Sequence, residues 1–323
     1  MSLTLLSATD IKQCIDMRQA IDAMEIAFLQ LARHQVVLPL RTPIPIESEN
    51  AVCLTMPAYL KDEKQLGLKV VSLFPNNHLQ KLPSINGVIL LLDAQTGKPK
   101  ALMDATWLTA LRTGAVSGLA TRLLAKDDAK HVAIIGAGAQ AITQLDAVAS
   151  VRNIQQVSVW SRTHAHAISF AKQIEQRFEV HACTTVLEAV KDADIICTAT
   201  NSTEPLIHLA DIKHDAHINA IGSHTKTMHE IAPDVFTHAV TVVDQIDAAL
   251  KEAGEIICAI ESSVIDLPSL HELGYLLTHQ QPGFKNQLTV FKSVGLAIQD
   301  ISIAEMAYRN AIVKKIGHNF DLS

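Results

Sequence analysis

Residues 131–141, His-Val-Ala-Ile-Ile-Gly-Ala-Gly-Ala-Gln-Ala, set an apolar run directly before Gly136-x-Gly138-x-x-Ala141. Such a run reads as a strand, a tight turn and a helix N-terminus, which together hold a pyrophosphate on backbone amides and the positive end of a helix. Gly136 allows the turn, Gly138 and Ala139 let the backbone approach phosphate oxygens, and the small Ala141 lets the helix pack close to the strand. The chemistry implied is that of a nicotinamide or flavin dinucleotide. The same spacing occurs in turns that bind nothing, so its setting matters. Helix-compatible sequence follows over 139–152, and then Val157-Ser-Val-Trp160, a second strand rich in β-branched and aromatic residues.

That second strand runs into Ser161-Arg162-Thr163, where a domain selective for NAD usually carries an Asp or Glu for the ribose 2′-hydroxyl. An acid there repels a 2′-phosphate, whereas a guanidinium fork and two hydroxyls attract one. The cluster therefore predicts NADP(H) as the preferred cofactor, with NAD(H) as the alternative.

The elements that must position this turn fall into two groups. Near the N-terminus, Met17, Ile21, Met24, Phe28 and Leu31 recur at helical spacing. From Val36 to Lys100 short apolar segments alternate with prolines, which predicts a mainly antiparallel sheet with a hairpin turn at Asp93-Ala-Gln-Thr-Gly97. A helix is expected over 106–124, then a charged break, Lys126-Asp-Asp-Ala-Lys130, where the first domain boundary is drawn. Beyond it, strands are expected at 132–135, 157–160, 180–182, 193–199, 218–221 and 241–243, with helices between them, the rhythm of a doubly wound parallel sheet. The segment 288–316 reads as a long helical pattern returning to the first domain. The expected division is 1–125 with 295–323, and 126–294.

Composition excludes several classes of function. A chain of 323 residues with net charge −6 and no run of Lys and Arg does not fit a nucleic-acid surface. Apolar runs such as Val88-Ile-Leu-Leu-Leu92 are far shorter than the ~18–20 residues of a membrane helix. The first ten residues lack a basic region and an adequate apolar core, so a cytoplasmic location is expected. Cys14, Cys53, Cys183, Cys197 and Cys258 are scattered, which suits reduced, buried, structural thiols. Fifteen histidines include His214-x-x-His217, but in a loop before a strand this spacing makes no metal site, and surface positions are expected for them.

Four stretches in the same order carry a more specific signal: Lys69, Leu111-Arg-Thr-Gly-Ala-Val-Ser-Gly-Leu-Ala120, the glycine turn, and Thr289-Val-Phe-Lys-Ser-Val-Gly-Leu-Ala-Ile-Gln-Asp300. Together they resemble the ornithine cyclodeaminase and mu-crystallin family over nearly the whole chain. The resemblance implies an α/β fold with a Rossmann doubly wound parallel sheet and an N-terminal α/β substrate domain that forms a homodimer and is closed by the C-terminal helix. It implies that Arg112, with Arg41 and Lys69, fixes the carboxylate of a small amino or imino acid, and that Ser84, near Asn86, lies on the substrate side. It places Arg112, Thr113, Gln140, Thr200 and Val294 with the glycine turn among the residues contacting the cofactor.

One position departs from the pattern. In Ile221-Gly-Ser-His-Thr-Lys-Thr-Met-His-Glu230, His224 stands where the family's cyclodeaminases carry an Asp. Cyclodeamination needs an acid to hold and deprotonate a cationic diamine, whereas reduction of an imine needs a hydride at carbon and a proton at nitrogen. The reading favoured is reduction of a cyclic imino acid: Δ1-pyrroline-2-carboxylate to L-proline, with the six-membered homologue as a further substrate. His224 and Lys69 are the candidate proton donors. Ornithine cyclodeamination is the alternative, and cofactor-dependent binding of the mu-crystallin type is a third reading. Glu255 and Asp300 are given structural places.

Overall fold

The computed structural model describes residues 2–279 and 281–321. They form two units, Met1–Arg112 with Leu296–Ser323, and Thr113–Gly295. The first crossing lies inside the helix Ala105–Leu124 and not at the charged break expected at 126–130. Its physical reason is local: from Thr113 onward the helix belongs with the helix Ala141–Val151. Gln144 donates to the Thr113 carbonyl at 3.1 Å, and a Cβ on Gly114 would run into the backbone of Thr143.

In the first unit an eight-stranded sheet runs His318–Asp321, Ser2–Leu6, Pro99–Asp104, Ile85–Asp93, Gln65–Leu73, Ala51–Leu60, Val36–Val37, with Thr42–Ile46 also paired to Ala51–Leu60. Pairing is antiparallel except between Ser2–Leu6 and Pro99–Asp104. The hairpin expected at 93–97 is present: Gly97 has φ +72° and Asp93 Oδ1 accepts from the amide of Thr96 at 2.8 Å. The predicted N-terminal helix spans Met17–Ala32 behind an Asp16–Gln19 capping box, with Ile21, Met24 and Phe28 buried. The C-terminal helix Ala297–Lys314 packs on that helix and on the strands Ala51–Leu60, Gln65–Leu73 and Ile85–Asp93. Gly67 permits the approach: a Cβ there would stand 2.9 Å from Ile301 Cδ1 and 2.6 Å from the Leu90 carbonyl.

The second unit is a parallel sheet in the order Glu179–Ala182, Gln156–Trp160, His131–Ile135, Ile195–Thr198, His217–Ala220, Thr289–Lys292, Val240–Val243, Leu270–Glu272. Six of these strands were predicted. Thr289–Lys292 was read as part of a helical segment, because a lysine in a short apolar run hides a strand buried on both faces. Helix Ala141–Val151 begins two residues later than expected. His217 is not a surface histidine: it opens a central strand, fully buried between Thr289 Oγ1 and Asn219 Oδ1, and burial pulls its pKa down to about 3. Cys14, Cys183 and Cys197 are buried, Cys53 and Cys258 half-buried, and all five are free thiols.

Arg152 ties the end of the long helix to this unit. Its guanidinium donates to the carbonyls of Thr121, Arg122, Ala125 and Lys126 at 2.6–3.3 Å, which adds donors around a helix C-terminus, where carbonyls outnumber amides. Replacing Arg152 by Met removes these donors, and although the Thr121 and Lys126 carbonyls keep the amides of Ala125 and Ala129, the loss should be roughly 2–3 kcal/mol. At about 2–4 °C per kcal/mol for a domain of this size, the melting temperature should fall by roughly 5–10 °C in a thermal scan.

Candidate functional site

Strand His131–Ile135 lies where the order of the second unit's sheet reverses, with Gln156–Trp160 on one side and Ile195–Thr198 on the other. Ligands of open α/β sheets bind outside the carboxyl ends of the strands at that point. The chain leaves this strand through Gly136, whose φ of +105° suits glycine and whose missing Cβ would stand 2.7 Å from the Ala199 carbonyl. Gly138 is different in kind. A Cβ there would meet nothing within 4 Å, so no neighbour in the fold demands glycine. Helix Ala141–Val151 follows with Gln140 at its N-cap and no side chain capping its amides. Open space over Gly138 beside an uncapped helix N-terminus fits the pyrophosphate of a dinucleotide.

Ser161, Arg162 and Thr163 follow the next strand, Ser161 half-buried and the other two exposed. No carboxylate stands among them. Thr200, after strand Ile195–Thr198, is fixed by Glu230, which is fully buried and accepts five hydrogen bonds. They come from the Thr200 amide (2.6 Å), the Thr200 and Thr198 hydroxyls (both 2.8 Å) and the amides of Gly222 and Ser223 (2.7 and 3.2 Å). One carboxylate thus shapes two adjacent loops. Gly222 is required there, because a Cβ would strike Thr200 and Glu230. His224 is exposed on the same loop, its Nδ1 2.9 Å from the Gly222 carbonyl.

Beneath this loop lies an ion pair that sequence reading missed. Lys292 Nζ is 3.0 Å from Glu255 Oε1 and donates to the Ser223 carbonyl at 2.5 Å, while the Ser223 hydroxyl donates to Glu255 Oε2. Asp244 does the same service for Val294, accepting from the amides of Val294 (3.0 Å) and Gly295 (2.8 Å) and from the Ser293 hydroxyl (2.9 Å). Burial raises the pKa of both Glu230 and Asp244.

The first unit carries a cluster of charge. Strand Gln65–Leu73 alternates buried and half-buried residues, and Lys69 falls on the buried face with Gly67 and Val71. Its Nζ lies 2.7 Å from Asp300 Oδ2; Asp300 Oδ1 is 3.3 Å from Arg112 Nε, and Arg112 Nη1 donates to Gln299 Oε1 at 2.8 Å. Lys69 is 2% exposed and Asp300 not at all. Burial, opposed by Asp300 and helped by Arg112 and Arg41, pulls Lys69 down to about 8. Arg41 is half-buried. Ser84 accepts a backbone bond from Phe74 at its carbonyl, and Asn86 turns its amide onto Pro83. The fold therefore brings Lys69 and Arg112 together around Asp300, with the charge of Arg41 felt at Lys69. Gln299 and Asp300 lie inside the motif already singled out, seven and eight residues after Lys292 of the same run, so the residues were in view although nothing local announces their contact with Arg112 and Lys69.

A dinucleotide-binding α/β unit and a sheet unit with a buried cation cluster define the class of protein. The particular family follows from comparison: the chain belongs to the ornithine cyclodeaminase/mu-crystallin family, whose profile matches residues 1–315. It is 34% identical over 325 residues to the Δ1-pyrroline-2-carboxylate reductase of Bacillus cereus, covering 99% of this chain and 100% of that one. The structure of the Thermococcus litoralis Δ1-pyrroline-2-carboxylate reductase in complex with NADH and L-proline matches with a TM-score of 0.94 at 39% identity, over 98% of this chain and 100% of that one. An archaeal alanine dehydrogenase dimer with bound NAD matches with a TM-score of 0.91 at 30% identity over the whole of both chains.

The two glycines of the turn should separate experimentally. Gly136→Ala forces a side chain into a left-handed backbone against Ala199 and should cost about 1–3 kcal/mol of stability. Gly138→Val should leave the melting temperature within about 2 °C, yet weaken NADH and NADPH binding, read by fluorescence titration, at least about tenfold, or 1.4 kcal/mol. Unchanged affinity in Gly138→Val would mean that no phosphate sits there.

Proposed function

We propose that this protein reduces a cyclic imino acid with a nicotinamide dinucleotide, taking Δ1-pyrroline-2-carboxylate to L-proline and Δ1-piperideine-2-carboxylate to L-pipecolate. The observation that carries this reading is the likeness, over nearly the full length, to the Thermococcus litoralis enzyme whose structure holds NADH and L-proline. The dinucleotide, when bound, supplies a hydride to the carbon of the C=N bond. Gly136, Gly138, Ala139 and Gln140 bind its pyrophosphate on backbone amides, and Thr113, Thr200 and Val294 line its site, the last two held by Glu230 and Asp244.

Arg112, joined by Arg41, fixes the substrate carboxylate through a guanidinium fork suited to it. Lys69 gives a proton to the imine nitrogen, and a lysine held near pKa 8 is an effective acid at neutral pH. His224 is the rival for that single proton: its loop is shaped by Glu230, and its ring is anchored to Gly222. Ser84 borders the substrate. Exposed Val37, Ile44, Ile85 and Val88 on the first unit's sheet, with Leu40 in the connection between two of its strands, support a homodimer. No helix among the described residues is long and apolar enough to cross a membrane.

Arg162 is assigned to the 2′-phosphate of NADP(H), supported by the absence of an acid at 161–163. Arg162→Ala should raise the KM for NADPH about tenfold or more, leaving that for NADH within about twofold. Equal effects on both cofactors would refute the assignment.

The decisive assay follows NADPH and NADH absorbance with Δ1-pyrroline-2-carboxylate. Oxidation of neither with any cyclic imine sinks the reductase reading, and ammonia release from ornithine would replace it. Arg112→Met should lower kcat/KM on the order of a hundredfold or more, as expected for loss of a charged anchor.

The pH dependence has a definite sign. Imine reduction consumes a proton, so kcat/KM should be flat below and fall through about pH 8 as Lys69 loses its proton, while oxidation of the cyclic amine should rise through the same value. A limb that persists unchanged in Lys69→Met would assign it to another group. His224→Ala checks the rival donor: an unchanged rate removes His224 from the mechanism.

A further inference from the structure

Several carboxylates in this protein are buried, and their partners differ in kind. Glu230 and Asp244 are surrounded by backbone amides and hydroxyls, so their work is to shape loops. Asp300 has no such donors. Among the described residues no backbone amide or hydroxyl donates to its oxygens, and its close neighbours are two cations, Lys69, which donates to Oδ2 at 2.7 Å, and Arg112 at 3.3 Å. A carboxylate wholly withdrawn from water stays ionised only beside positive charge, and it holds that charge in return.

The elements around Lys69 leave Asp300 as its anion. On the neighbouring strands the residues opposite Lys69 are Met56 and Ile89, both apolar. The charged groups that act on it are Asp300 on the C-terminal helix, Arg112 on the helix Ala105–Leu124, and Arg41. Both arginines disfavour a third positive charge, and among the described residues Asp300 is the charge that favours it. Asp300 lies in the first turn of Ala297–Lys314, where the helix dipole supports a negative charge, and Gly67, on the same strand face as Lys69, lets that helix come close. The adjacent Gln299 takes a second nitrogen of Arg112, so two consecutive residues of one helix set the plane of that guanidinium.

We propose that Asp300 is a positioning residue for the reduction: it holds the Lys69 ammonium charged and in place, and fixes Arg112 beside it. This rests on the reading that the cluster receives an imino-acid carboxylate and that Lys69 supplies the proton. Being fully buried, Asp300 acts through these two cations and not on the substrate.

The test is Asp300→Asn, which keeps the shape and removes the charge, with Asp300→Glu as the rescue. The alkaline limb of kcat/KM should move down by about 1–3 pH units in the Asn variant, so that activity at pH 8 falls about tenfold or more, and should return to within about half a unit in the Glu variant. A purely structural residue would lower the rate without moving the limb. An Asn variant with the wild-type limb, or a Glu variant displaced as far as Asn, overturns the proposal. If the Asn variant does not fold, Asp300→Glu decides alone: a limb within half a unit supports the proposal and one displaced by about a unit or more overturns it. The same midpoints can be read without substrate from the 13C shift of the lysine Cε carbons, with the Lys69 signal assigned by its loss in Lys69→Met. A wild-type enzyme inactive on cyclic imines would sink the reductase reading while this titration still judged the charge role of Asp300.

Discussion

An ionised side chain withdrawn from water must find compensation inside the protein, and in this fold that requirement governs where the chain can go. Asp300 can be buried only because Lys69 and Arg112 are beside it, and Lys69 can be buried only because Asp300 is. The helix Ala297–Lys314, the strand Gln65–Leu73 and the start of the long helix at 105 are thereby constrained together, with Gly67 supplying the room. Burial costs such a cluster stability and returns an ammonium tuned toward neutral pH, a property an exposed lysine does not have.

The second unit meets the same requirement with different donors. Glu230 and Asp244 gather amides from chain segments after three strands and give each a fixed course without regular structure. The Lys292–Glu255 pair extends this support beneath the loop that carries His224. Acids that shape backbone and an acid that balances side-chain charge are thus distinct devices within one chain.

Local pattern made much of this legible in the sequence. The glycine turn, the alternating strands of the second unit and the apolar face of the N-terminal helix are written in short-range pattern, and the structure follows them closely. Resemblance brought Lys69 and Arg112 to notice. What stayed hidden was long-range: that Asp300 lies beside Lys69 depends on a helix 231 residues further on in the chain packing over a strand, and no spacing announces it. Lys292 and Glu255 were hidden for a related reason, since a lysine within an apolar run reads as an interruption until its partner is known. The crossing between units was misplaced because a charged surface break suggested a boundary, whereas Gly114 packing closely on Thr143 determined it.

The strand Thr289–Lys292 occupies an interior place in its sheet, between strands that precede it in the chain by decades of residues. The first unit likewise waits for Ala297–Lys314 to cover the face bearing Lys69. On a ribosome the chain emerges from its N-terminus, so one short late stretch completes both units. Until it is released, one sheet lacks an interior strand and the other the helix that covers the face bearing Lys69, so neither unit can close its core before residues 289–314 are available.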